Sequence, residues 1–213
     1  MSIITKEMQE KIKPSEALQL LKEGNKRFIE GKQIKRDLIK QAETTALGQY
    51  PVAVTLSCID SRTSIEHIFD QGMGDVFSVR IAGNIVNEDI LGSMEFGCAA
   101  AGSKIIVVIG HTKCGAIKGA CDNVKLGNLS GLLNKIKPAI DLEKSITKNR
   151  DSSNSEFIEK VSKLNVKNTV TEILNKSLVL KELVETGKIG IVGATHDIQT
   201  GQIHFDEETL IIK

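Results

Sequence analysis

The segment Val52-Ala53-Val54-Thr55-Leu56-Ser57-Cys58-Ile59-Asp60-Ser61-Arg62 starts as an unbroken apolar run and ends in three reactive side chains. The run reads as a strand buried on both faces, the kind found inside parallel sheets. Side chains alternate along a strand, so an extended chain to position 62 puts Cys58, Asp60 and Arg62 on one face. A thiolate, a carboxylate and a guanidinium then meet at the carboxyl end of a strand, where open α/β sheets bind ligands. A second run, Lys104-Ile105-Ile106-Val107-Val108-Ile109-Gly110, empties into His111-Thr112-Lys113-Cys114-Gly115. His111 and Cys114 are three apart and share one side of a helical first turn. Side by side, the two strand ends supply Cys58, His111 and Cys114. These are three donors for a tetrahedral zinc ion, with one position left for chemistry.

Outward from these strands, the order of elements is a mainly parallel α/β arrangement with right-handed crossovers. Further strands are expected at 76–80 and 188–193, with a short edge strand at 203–205. The expected fold is a central, mostly parallel four-stranded sheet flanked by helices, with a short C-terminal edge strand and an N-terminal helical arm. Residues 1–13 read as a mobile arm. Pro14-Ser15-Glu16 starts a helix running to Gly31, and a second helix covers 34–47. Asn87 caps a helix through Ala101. Helices are also expected at 64–69, 115–122, 129–143 and 156–164, and as one long span over 166–185 stopped by Gly187. The whole chain, 1–213, reads as a single domain. Its parts are an arm (1–48), the motif-bearing core (49–122 and 187–206) and a helical segment (123–186) with no assigned role.

Composition narrows the function classes. The formal charge of +1 gives no electrostatic case for nucleic acid or an anionic membrane. Six Phe, one Tyr and no Trp leave little for stacking on bases. No apolar run has the length of a membrane span or a signal-peptide core, so the expected compartment is the cytoplasm. In that compartment the four cysteines (58, 98, 114 and 121) read as ligands or packed thiols rather than disulfides. Cys98 and Cys121 fall on helix stripes and read as packed thiols. His67, His196 and His204 read as packing, loop and surface residues. No glycine cluster forms a dinucleotide fingerprint.

Cys-X-Asp-X-Arg followed 53 positions after its cysteine by His-X-X-Cys resembles the β-class carbonic anhydrases. The intervening Arg80-Ile81-Ala82-Gly83-Asn84 is similar to a segment of that family, and the likeness extends from about Ser15 to Asp206. It implies reversible hydration of carbon dioxide to bicarbonate and a proton, by attack of zinc-bound hydroxide. Cys58, His111 and Cys114 would hold the zinc. Asp60 would orient the nucleophile, or ligate the metal in a closed resting state, and Arg62 would hold Asp60. Gln49, nine residues before Cys58, matches the pocket glutamine of plant-like members, and Phe77, Ala82 and Phe96 match the apolar substrate wall. Position 55 is Thr rather than the Trp of the bicarbonate-inhibited bacterial subgroup, which implies a plant-like pattern. The family also implies a homo-oligomer, a dimer or tetramer, with active sites at the subunit interface. Two other readings share these ligands: a hydrolase of carbon disulfide or carbonyl sulfide, and a non-enzymatic zinc or bicarbonate sensor.

Overall fold

The protein is described here by a computed structural model covering residues 3–213. Its strands are β1 (Ala53–Ser57), β2 (Val76–Arg80), β3 (Ile105–His111), β4 (Gly190–His196) and β5 (Ile203–Ile211). Its helices are α1 (Lys6–Lys11), α2 (Pro14–Ile29), α3 (Leu38–Thr45), α4 (Ile65–Ile68), α5 (Glu88–Glu95), α6 (Gly115–Cys121), α7 (Gly127–Asn134), α8 (Lys137–Leu142), α9 (Ser155–Lys176) and α10 (Leu178–Glu185). The strands form one sheet in the order β2-β1-β3-β4-β5. The first three pairings are parallel and β4–β5 is antiparallel.

Every residue of β1 and β3 is buried, as their unbroken apolar runs require of strands covered on both faces. Alternation divides their side chains between two layers. Val54, Leu56, Ile106 and Val108 face α5, α9 and α10. Ala53, Ile105, Val107 and Ile109 face α2 and α4 through Leu18, Leu21, Ile65 and Phe69. From β1 the chain moves outward to β2 and later returns to build β3 on β1's other side. The gap between β1 and β3 is therefore the topological switch point, where the carboxyl ends of strands open a crevice.

The structure corrects several expected elements. Residues 4–13 are not a mobile arm; residues 1 and 2 of that expectation lie outside the described residues. Thr5 caps α1, Ile4 is buried, and Gln9 Nε2 donates to Pro51 O at 2.7 Å and Ala101 O at 2.9 Å. A six-residue helix is too short for periodicity to reveal, and one amide ties it down. β5 continues to Ile211 rather than ending at Phe205. An irregularity in its pairing with β4, between Ile191 and Gly193, breaks the alternation just where Asp206-Glu207-Glu208 ends the apolar signal. The 129–143 helix is two, α7 and α8. The boundary expected near residue 165 lies at Ser177 instead. Ser177 adopts an extended conformation, caps α10 by accepting from Leu180 N at 3.1 Å, and donates to Glu95 Oε1 at 2.5 Å.

The helical segment 123–168 covers the crevice. Leu133, Ile136, Ala139, Phe157, Ile158 and Val161 pack in one cluster with Cys58, Cys114 and Ile117. Arg150 ties this cover together, donating to Glu143 Oε2 at 3.1 Å, Ile146 O at 2.7 Å and Ile140 O at 2.7 Å. The Ser145 hydroxyl, followed by the Ile146 and Ser145 amides and Arg150, holds the Glu143 carboxyl down to about 2 from the ordinary 4.5. A depressed carboxylate stabilises the fold above its unfolded pKa, and that stabilisation is lost as pH falls through the folded value. Glu143→Gln is therefore expected to lower Tm at neutral pH. The gap from the parent should close as pH falls from 4.5 toward 2. A gap of constant size across that range in thermal melts would contradict the assignment.

Among the described residues no helix is long and apolar enough to cross a membrane.

Candidate metal centre

Cys58 follows β1 directly, and His111 is the last residue of β3. Ser57 pairs with Ile109 across the two strands, so both sit at the mouth of the switch point. Three residues on, Cys114 immediately precedes α6. Cys58, His111 and Cys114 are all buried, and their Sγ and ring nitrogen atoms lie within 4.8 Å of one another.

The donor chemistry fits a zinc ion. His111 Nδ1 lies 2.9 Å from Thr112 O, which accepts the Nδ1 proton and leaves Nε2 as a bare lone pair. Nε2 is fully buried and has no hydrogen-bond partner. An orphaned buried acceptor costs free energy, and a cation beside it removes that cost. Two sulfurs and one imidazole with a vacant fourth position form the donor set of a catalytic zinc site, whereas a structural zinc takes four protein ligands. The sulfurs are prepared for this. The Cys114 thiol, followed by the Gly83 N–H, holds the Cys58 thiol well below its ordinary range. Cys114, facing that thiolate from a buried position, keeps its proton until a metal takes it.

Asp60 and Arg62 reach one another differently from the strand alternation expected of them. β1 ends at Ser57, and the chain then turns, with Thr63 N donating to Asp60 O at 2.9 Å. The turn folds the guanidinium back on its neighbour. Arg62 Nε donates to Asp60 Oδ1 at 2.9 Å and Nη2 to Oδ2 at 2.8 Å, a two-pronged grip reinforced by the Arg62 amide at 3.0 Å. This contact holds the Asp60 carboxyl well below the ordinary carboxylate range. Asp60 Oδ2 stands 3.9 Å from His111 Nε2, beside the lone pair that would meet the metal. Arg80 braces the same turn, donating to Cys58 O at 3.1 Å and Asp60 O at 2.6 Å.

The other site candidates are dispersed. Gln49 is exposed and precedes β1, at the opposite end of that strand from Cys58. Phe77 pairs with Val54 in mid-sheet on β2, the edge strand, and its ring meets Phe96 edge-on at 6.1 Å. Phe96 is 60% exposed. Ala82 is half-buried and adjoins Gly83. Within one chain, Gln49, Phe77 and Phe96 do not gather around the three donors.

His196 pairs with His111 across β3 and β4. It is buried against Thr63, its Nδ1 3.3 Å from that hydroxyl, and burial pushes it down to about 4. It is a neutral packing residue. His67 and His204 are exposed, burial pushes the Cys98 thiol up to about 12, and Cys121 is half-buried.

One contributor was not singled out in the sequence: the Gly83 N–H, 3.4 Å from Cys58 Sγ. Gly83 has φ +70°, and a Cβ there would lie 2.8 Å from Ile136 Cδ1. A glycine adopts this φ without strain, and its signals were a glycine just after β2 and its place in the segment Arg80–Asn84.

Comparison with known proteins follows the same lines. Residues 53–203 match the family model described as carbonic anhydrase. Carbonic anhydrase 2 of Mycobacterium tuberculosis is 33% identical over 195 residues, covering 89% of this chain and 91% of the relative. A tetrameric β-carbonic anhydrase of Sordaria macrospora superposes with a TM-score of 0.68 at 26% identity, covering 78% of this chain and 85% of the other. The β-carbonic anhydrase CafA of Aspergillus fumigatus gives 0.69 at 28% identity, covering 79% and 81%.

Proposed function

The chain belongs to the β-class carbonic anhydrase family, and from that membership we propose that it catalyses the reversible hydration of carbon dioxide at a zinc ion held by Cys58, His111 and Cys114. The observation that supports this most directly is the buried sulfur–nitrogen–sulfur triangle with His111 Nε2 unpartnered. Cys58, His111 and Cys114 would hold the zinc, which when bound would supply a nucleophile at neutral pH by lowering the pKa of a water.

The surrounding residues divide the remaining work. The Asp60 carboxylate, adjacent to His111 Nε2, accepts a hydrogen bond from the attacking water and turns its lone pair toward carbon dioxide. Arg62 occupies both Asp60 oxygens and so keeps the carboxylate from becoming a fourth ligand, which corresponds to the open, plant-like pattern. Gln49 donates to the substrate oxygen on which charge develops. Phe77, Ala82 and Phe96 form the apolar wall that excludes bulk water.

This division of roles needs a second copy of the chain, because β1 separates Gln49 from the zinc ligands of its own subunit. The unpaired edge of β2 and the exposed Phe96 offer a face for that copy. The segment leading into α1 and helix α2 pack on their own chain's sheet through Ile4, Leu18 and Leu21, and the Sordaria macrospora relative is tetrameric. We assign residues 1–213 to one domain in this assembly.

The test is metal analysis of the purified protein, followed by stopped-flow hydration at pH 7–9 with and without a chelator. One zinc per chain and chelator-sensitive hydration are expected. Absence of zinc overturns the reading of the site. A zinc-loaded protein that turns over carbon disulfide or carbonyl sulfide but not carbon dioxide overturns the substrate.

A further inference from the structure

Helix α9 meets the metal centre through three inward-facing polar side chains. Ser162 Oγ donates to His111 O at 3.4 Å, Asn165 Nδ2 to Gly83 O at 2.8 Å, and Thr169 Oγ1 to Asn84 O at 3.2 Å. All three are more than nine-tenths buried, and their spacing of three and four residues places them on one helix face. The helix is pressed against the sheet at two glycines. A Cβ on Gly110 would lie 2.7 Å from Val166 Cγ2, and one on Gly193 would lie 2.6 Å from Val166 Cγ1. With α9 fixed in this way, its polar face has a defined distance to the carbonyls it holds.

Those carbonyls belong to the segments that carry the metal donors. One is His111 itself. The others are the Gly83–Asn84 turn, whose Gly83 N–H points at Cys58 Sγ from 3.4 Å. Gly83 takes φ +70° at no steric cost, and Asn84, at φ +43°, is the left-handed non-glycine residue of the turn. A left-handed non-glycine residue persists only where its surroundings hold it. Asn165 is the side chain that holds Gly83, and packing does not account for it. Its Oδ1 is buried without a partner, a cost that its bond to the Gly83 carbonyl offsets.

We propose that Asn165 is a positioning residue of the metal centre: by holding the Gly83 carbonyl it restrains the torsions at Gly83 Cα, so that the Gly83 N–H, on the preceding peptide, stays aimed at the Cys58 sulfur and tempers the charge that this thiolate passes to the metal. The proposal rests on the reading that Cys58, His111 and Cys114 bind zinc. Partners one shell beyond the ligands typically change metal affinity 10- to 100-fold, and hydrogen bonds to sulfur set how strongly it donates.

The test compares Asn165→Leu with the parent and with Asn154→Ala in the full chain. Asn154 caps the far end of α9, accepting from Phe157 N at 3.1 Å, and touches neither Gly83 nor the donors. Both variants should melt at lower temperature. N165L alone should lose zinc to a competing chelator about 10-fold more readily. N165L alone should also move the sulfur-to-metal charge-transfer band of the cobalt(II)-substituted protein to lower energy. Asn165→Ser, a smaller change, replaces N165L if the leucine variant does not fold. A parent-like cobalt spectrum and zinc affinity in an Asn165 variant that melts early, as N154A does, would overturn the proposal and leave Asn165 a structural residue. A parent protein that binds no zinc would overturn the underlying site reading instead.

Discussion

His111→Ala is expected to abolish zinc binding and to lower carbon dioxide hydration by about a thousandfold or more. That figure is the several kcal/mol a metal contributes to such a step, at roughly 1.4 kcal/mol per factor of ten. The size follows from what remains. Without Nε2 the centre keeps only two sulfurs, too few donors to hold a divalent ion against a chelator. The side chain is also fully buried, so truncation leaves a cavity and a stability loss of about 2–4 kcal/mol, as for other large-to-small changes in a core. The check is therefore threefold: circular dichroism to show a folded chain, atomic emission after dialysis for zinc, and stopped-flow hydration. A folded His111→Ala protein that retains stoichiometric zinc would contradict the ligand assignment.

Arg62→Ala separates metal binding from turnover. Arg62 is 55% exposed at its side chain and its contacts are with Asp60, so the fold should tolerate its loss. What changes is the freedom of Asp60. Its carboxylate already stands 3.9 Å from His111 Nε2. Without the guanidinium only the backbone amide of residue 62 still holds Oδ1, and Oδ2, the oxygen facing Nε2, is free to reach the ion. We expect zinc to be kept, or held more tightly, while hydration falls about 100-fold, the upper part of the range for such outer partners. Arg62→Lys should rescue little, because one ammonium cannot occupy two carboxylate oxygens with fixed geometry. Full activity in zinc-loaded Arg62→Ala would remove the guarding role from the pair.

The sequence made the sheet and the gathering of Cys58, His111 and Cys114 legible because both are local signals. β1 and β3 are continuous apolar runs, and their reactive residues follow at once, so the crevice and its contents could be read together. Asn87 capping α5, with Ile90 N donating to its side chain at 2.9 Å, was legible for the same reason. The Asp60–Arg62 contact was anticipated on the wrong ground: a turn, not strand alternation, brings the two together. What escaped depends on tertiary contacts. α1 is short and held by Gln9, and β5 runs through three acids because β4 pairs with it. α9 continues past the expected break because buried Ser162, Asn165 and Thr169 find carbonyls to hold. Polar residues at those positions disguise a buried helix face as a solvated one, and no periodicity rule counts them as interior.

The location of Gln49 has a consequence for how the protein works as an assembly. A strand stands between this residue and its own chain's cysteines, so under the proposed roles each subunit lends its amide to its mate's metal and borrows one in return. The couple, rather than the polypeptide, is then the smallest working unit. A polypeptide stripped of its sulfur donors would still complete the centre of an intact mate, and mixed couples would each keep one working half.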